Sequence, residues 1–188
     1  MNTKEVQEAL KRLGWPIQAD GSFGERTFRA VKNFQRGFAF WDLIADGAAG
    51  EKTQRALKYS VAHGGLSSPH FAFREFKSPG NGWIKLDREL ARGLEEYRDE
   101  VGQPVIITSG YRDPRYNQSI GSPYNSQHVY GNAADVNPTL RLGEVKRLRR
   151  FSGIGVVKSS EKVIHLDVRH RGPNTSGGTV GNPTVWFE

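Results

Sequence analysis

ADGSFGERTFRAVK fills residues 19–32 and ADGAAGEKTQRALK fills residues 45–58, one pattern repeated at an offset of 26 residues. Each copy runs Asp-Gly, then a second Gly three positions on, then a Thr that opens an amphipathic stretch. The glycines suit tight turns with positive φ, and Thr27 and Thr53 are placed to cap the helices that follow. Phe28, Val31 and Phe34 then fall at helical spacing in one copy, as Ala56 and Leu57 do in the other. Ahead of the first copy, Val6, Leu10 and Leu13 mark another helix that Gly14 ends. Residues 1–60 therefore read as a small all-α three-helix bundle.

The whole chain is 188 residues, room for one large domain or two small ones. Its 36% hydrophobic residues and 22 glycines exclude wholesale disorder. Cysteine is absent, so disulfide scaffolds, thiolate metal sites and cysteine nucleophiles are excluded, and any metal must sit on His, Asp or Glu. The net charge of +7 divides into +3 on residues 1–60 and +4 on the rest, which favours an acidic partner without choosing one. The opening MNTKEVQEAL has no apolar run of the kind a signal peptide needs, and no stretch is apolar enough to span a membrane.

Past residue 60 the composition shifts to VAHGGLSSPH, so 61–69 reads as a linker and 70–188 as a second domain. Leu86 to Val101 carries Leu86, Leu90, Leu94 and Tyr97 on one helical stripe, stopped by Gly102 and Pro104. PVIITSGYR and KVIHLDVRH read as strands, and Leu140 to Phe151 as a second helix. The second domain is thus expected to be compact α+β with a short antiparallel sheet.

Within it, SQHVYGNAAD places Ser126, His128, Gly131, Ala133 and Asp135 in the spacing SxHxxGxAxD. His and Asp both ligate zinc, and the small residues between them let both side chains aim at one point. A catalytic zinc takes three protein ligands, so one more is needed. On a strand, Val163, His165 and Asp167 share one face while Ile164, Leu166 and Val168 face the core, which makes His165 the preferred third ligand over His170.

These segments resemble the zinc DD-peptidases, the family of D-alanyl-D-alanine carboxypeptidases and phage endolysin peptidases. The resemblance rests on SPHFAFREF (68–76), ITSGYRDPRYN (107–117), SQHVYGNAAD (126–135) and IHLDVR (164–169). VQEALKRLGW, DGSFGERTFRAVKNFQ and DGAAGEKTQRAL resemble, in turn, a peptidoglycan-binding domain. Together they imply one Zn2+ held by His128, Asp135 and a later histidine, and a peptidase acting on bacterial peptidoglycan. Arg112 is implied as the grip on a substrate carboxylate, a task its planar fork suits, with Ser126 and His170 also on the substrate side. Several members carry an acid three residues before the third histidine as general base. Here that residue is Lys162, so Asp167 is the substitute and Glu161 the second candidate. If His170 were the ligand, Asp167 would stand in the family position and His165 would steady the oxyanion.

An endopeptidase of the endolysin type is the leading expectation, with a carboxypeptidase of wall metabolism or a non-catalytic wall-binding protein as alternatives. The setting expected is a monomer kept in the host cytoplasm until release onto the wall. Arg141, Lys146, Arg147, Arg149 and Arg150 crowd one predicted helix, but without interleaved aromatics they read as a solvated basic face and not as a nucleic-acid site.

Overall fold

The computed structural model describes residues 1–169 and 178–187. Helices α1 (Thr3–Arg12), α2 (Glu25–Gly37) and α3 (Glu51–Ala62) bury Leu10, Val31, Phe34 and Leu57. The first begins with a capping box in which Asn2 and Glu5 satisfy each other's backbone amides.

The repeat works differently from its sequence reading. Gly24 and Gly50 are the N-caps, with ordinary negative φ, and only Gly21 and Gly47 of the four repeat glycines lie at positive φ. Thr27 and Thr53 sit one turn inside their helices because each is the partner of a buried glutamine. Gln7 Nε2 donates to Asp20 Oδ1 (2.9 Å), Ser22 O (2.9 Å) and Thr27 Oγ1 (3.0 Å), while Gln7 Oε1 accepts from Gly21 N–H (2.8 Å). Gln35 repeats this on Asp46 (2.8 Å), Ala48 (2.9 Å), Thr53 (3.0 Å) and Gly47 (2.8 Å). A helix and the loop after it are thus stitched by one amide, twice. Phe28, at helical spacing with the buried Val31 and Phe34, is itself 36% exposed and lies against Gly47, where a β-carbon would overlap its ring.

The segment 61–69 is not a free spacer. Ser67 and Ser68 are buried, Ser67 N–H bonds Phe71 O (2.8 Å), and Ala39 N–H bonds Ser67 O (2.8 Å). One hydrophobic cluster runs through both modules, with the Phe73 ring 5.1 Å from Trp15 and 5.2 Å from Phe34. Gly37 sits at this junction, where a β-carbon would come within 2.9 Å of Phe73 and 3.0 Å of Leu86. Arg36 crosses it, donating to Tyr130 O (2.9 Å) and to Asn132 Oδ1 and pairing with Asp87 (3.4 Å).

The second module follows a short 3-10 turn at Phe73–Phe76 with α4 (Arg88–Val101), N-capped by Asp87 and closed by Gly102 at φ 70°. Then come β1 (Ile106–Ser109), α5 (Pro114–Ser119), α6 (Gln127–Tyr130), β2 (Ala133–Asn137) and α7 (Leu142–Leu148). Strands β3 (Gly153–Val157), β4 (Lys162–Asp167) and β5 (Thr184–Phe187) complete a five-stranded sheet in the order β1-β2-β4-β3-β5. The sheet is mixed and not wholly antiparallel, because β5 returns parallel to β3. Strands β2, β3 and β5 have no clear alternation and were not apparent from the sequence.

Strand parity on β4 also departs from expectation. Gly155 pairs with His165 but Val156 pairs with Val163, so Ile164 is the extra residue of a bulge. Before the bulge, Val163 turns into the core, and Ile164 borders the cleft described below. His165 and Asp167 lie beyond it and keep their common face.

Replacing Gln35 by Ala leaves Asp46, Gly47 N–H and the Thr53 hydroxyl without their shared partner. Urea unfolding is expected to show a loss of about 3 kcal/mol, and an unchanged midpoint would refute the stitch.

Candidate metal centre

Three neighbouring strands bring three polar residues into a row: Ser109 on β1 opposes Asp135 on β2, which opposes His165 on β4. His128 reaches the same point from α6. That helix ends after one turn because Gly131 adopts φ 74°, and any side chain there would strike the Lys85 backbone at 2.7 Å. The short helix and its glycine stop therefore let a helical His and a strand Asp seven residues apart meet.

The three donor atoms form a near-equilateral triangle. His128 Nε2 to Asp135 Oδ1 is 3.2 Å, His128 Nε2 to His165 Nδ1 is 3.1 Å, and His165 Nδ1 to Asp135 Oδ1 is 2.9 Å. Ligands about 2.05 Å from a tetrahedral zinc stand about 3.3 Å apart, so the triangle has the size of one face of that tetrahedron. The donor set, two imidazoles and one carboxylate, suits a borderline cation of this kind. Among the described residues this is the group of His, Asp and Glu that converges as metal ligands do.

Each donor is held from behind. His128 Nδ1 lies 2.7 Å from Gly110 O, a pure acceptor, so Nδ1 carries the hydrogen and Nε2 presents a lone pair. Burial holds the His128 pKa below that of a free imidazole, which keeps that lone pair available. Asp135 gives its other oxygen to Arg112 Nη2 (2.6 Å), and Arg112 Nε is fixed by Ser109 Oγ (2.9 Å). His165 Nε2 faces Asp167 Oδ2 at 3.2 Å, leaving Nδ1 toward the triangle.

Asp167 is fully buried and further held by Arg169, whose Nη2 donates at 2.6 Å and whose backbone N–H donates at 3.0 Å. Its carboxylate lies over Gly153, where a β-carbon would collide with it. Arg169 in turn stacks 5.0 Å from the Trp186 ring, which also packs against His165 at 5.0 Å. Burial alone would raise the Asp167 pKa, but the bonds from His165 and Arg169 outweigh it and bring it down to about 2. Burial likewise opposes the His165 imidazolium, yet the hydrogen bonds to Asp135 and Asp167 push its pKa up to about 9.

The triangle opens into a cleft of about 680 Å³ bordered by Arg112, Ser126, Ile164, Arg169 and Trp186. Of the residues singled out in the sequence, His128, Asp135, His165, Asp167, Arg112 and Ser126 come together here. Glu161 does not: it is an exposed residue at φ 53° in the β3–β4 turn, four residues and about 13 Å of strand from His165. Asp167 borders the same cleft on the Nε2 side of His165, with its oxygens bonded to His165 and Arg169. Arg112 borders the cleft but spends two of its nitrogens on Ser109 and Asp135. His170 lies outside the described residues. His63 and His70 are elsewhere, stacked on Tyr59 and paired with Glu95.

Arg169 and Trp186 went unread. Arg169 was legible as the next residue on the face of His165 and Asp167, whereas the position of Trp186 depends on β5 returning to β3.

Asp167→Asn should weaken zinc affinity by about 10- to 100-fold while all three ligands remain. Competition against a chromophoric chelator measures it, and wild-type affinity would show that Asp167 does not brace His165. In the metal-free protein a proton sits on His165 until about pH 9, and an incoming ion must displace it. Apparent affinity should therefore drop by about tenfold per pH unit as the pH falls below that value.

Residues 64–167 match the Peptidase M15 family, and residues 2–57 match a peptidoglycan binding domain. A relative, the zinc D-Ala-D-Ala carboxypeptidase of Streptomyces albus G, is 30% identical over 150 residues, 69% of this chain. The chain spans little more than half, 57%, of that relative's length. The Peptidase M15 match covers over half of the 188 residues and takes in every donor of the triangle, and the chain belongs to that family.

Proposed function

We propose that this chain is a zinc-dependent peptidase that hydrolyses an amide bond in the peptide stem or crosslink of bacterial peptidoglycan. The observation that carries the reading is the braced donor triangle at the floor of an open cleft. The match of residues 2–57 to a peptidoglycan binding domain supports the wall as substrate. The zinc carboxypeptidase relative supports the choice of ion.

His128 Nε2, Asp135 Oδ1 and His165 Nδ1 would hold the zinc. When bound, such an ion supplies Lewis acidity, polarising a carbonyl and making a water acidic near neutral pH. The chain's own residues supply order. Gly110 O and Asp167 each fix one imidazole in the tautomer that presents a lone pair, and Arg112 keeps the Asp135 carboxylate turned toward the histidines. Trp186 packs against the His165 ring (5.0 Å), and Ile164 borders the cleft beside it. Nη1 of Arg112 and Nη1 of Arg169 have no hydrogen-bond partner among the described residues, so each guanidinium has a free edge with which to orient a substrate carboxylate. Asp167 serves as a positioning residue, bracing His165.

The leading form is an endolysin-type endopeptidase, acting as a monomer after release from the host cytoplasm. The relative's name favours a second form, removal of terminal D-alanine. Digestion of purified wall followed by mass spectrometry of the fragments separates them. New amines with terminal alanine retained mark the endopeptidase; free alanine marks the carboxypeptidase. His128→Ala, Asp135→Ala and His165→Ala should each release no fragment above background, and a wild type that releases none with zinc present would leave only a wall-binding role.

A further inference from the structure

A second groove, of about 420 Å³, runs along the junction of the two modules. From α2 it takes Arg26, Arg29 and Lys32, and from the larger module Trp83, Lys85 and Tyr111; among the described residues no carboxylate lines it. Arg29 is offset by Glu25 (2.5 Å), but both are well exposed, so that pair contributes little. Arg26 is held in place by Pro16 O (2.7 Å) and lies 5.6 Å from the Trp83 ring centre.

Lys85 is the informative member. It is half-buried with no carboxylate partner among the described residues, and its nearest compensation is the Tyr111 ring, 4.9 Å from Nζ. Burial lowers its pKa, and the nearby Arg36 and Arg29 lower it further. A half-buried ammonium among like charges is destabilising. An anion in the groove would reverse that penalty. Arg26 already lies over one face of Trp83, and Tyr111, with Lys85 over its ring, is buried, so neither ring is presented as an open stacking platform for a run of nucleic-acid bases. What remains is recognition of negative charge, with the Asn33 amide at the rim to meet a hydroxyl.

We propose that this groove is a second anion site, separate from the metal cleft, that takes phosphate or carboxylate groups carried on the wall polymer. The proposal rests on the wall being the substrate. Tyr111 lines the groove and the next residue, Arg112, borders the metal cleft, so an anchored strand would be held at a fixed relation to the donor triangle.

The test is co-sedimentation of the full chain with purified sacculi in the presence of EDTA, so that binding is read without cleavage and independently of the peptidase reading. Lys85→Met and the double variant Arg26→Ala/Lys32→Ala should each bind about tenfold more weakly. Lys85→Met should melt at or above the wild-type temperature, because an unpaired charge is gone, and inorganic phosphate should raise the melting temperature of the wild type but not of this variant. Sacculi stripped of phosphodiester polymers with hydrofluoric acid identify the source. A Lys85→Met defect confined to unstripped sacculi assigns phosphate, and a defect on both assigns the stem carboxylates. Wild-type sedimentation of both variants on both sacculi would overturn the proposal, as would a defect seen only with a single-stranded oligonucleotide.

Discussion

The cross-strand pair of Asp135 and His165 is the contact on which the rest of the site depends. Directly opposed residues on antiparallel strands keep their β-carbons within about 5.5 Å, and here that spacing brings two donor atoms to 2.9 Å. Three lone pairs aimed at one point repel one another unless a cation lies between them. Without a metal, a proton on His165 performs that office, which is why its pKa rises despite its burial. The surrounding contacts can be understood as what keeps the triangle from relaxing. Gly110 holds His128, Arg112 holds Asp135, and Asp167 with Arg169 holds His165.

That bracing constrains residues with no polar chemistry of their own. Asp167 needs the space over Gly153, and Trp186 needs the space over Gly155, where a β-carbon would lie 2.9 Å from His165 and 3.0 Å from the indole. The bulge at Ile164 lets β4 give Val163 to the core while His165 and Asp167 stay on the cleft face. The N-terminal helices take part as well. Arg36 of α2 bonds Tyr130 and Asn132, the residues on either side of the Gly131 turn between the helical ligand and the strand ligand. The first module therefore buttresses the turn that sets the triangle, which a flexible tether would not do.

How much of this was legible follows from the range of each interaction. The donors were readable because their spacing is local: His128 and Asp135 stand seven residues apart around a glycine, and His165 alternates with Asp167 along one strand. The repeat was visible in its glycines and threonines, but its purpose was not, because Gln7 and Gln35 lie outside the repeated stretches and join them only through a buried amide. The surroundings of Asp167 were hidden for a related reason. Alternation put it on the face of His165, but could not tell that its oxygens are bonded to His165 and Arg169 over Gly153. The linker reading of 61–69 relied on Ser and Gly content, and Ser67 and Ser68 are buried by an aromatic junction that only tertiary packing creates.

Charge was the least legible property, and the structure sorts it. The basic run on and after α7 looked like the strongest patch in the sequence, and two of its five members are partly offset there, Arg147 by Glu100 (3.5 Å) and Arg150 by Glu96, acids on the facing α4. Their spacing along α4 is the reason: Glu96 and Glu100 are one turn apart and present to the same neighbour. Among the described residues the cations of the junction groove have only the exposed Glu25 to offset them, although they never sit together in the sequence. A run of like charges on one helix can be partly offset by acids of a second helix packed beside it, as Arg147 and Arg150 are. Charges gathered from several segments into a shared groove have no such neighbour, and positive potential that folding leaves uncompensated is there to be matched by something outside the chain.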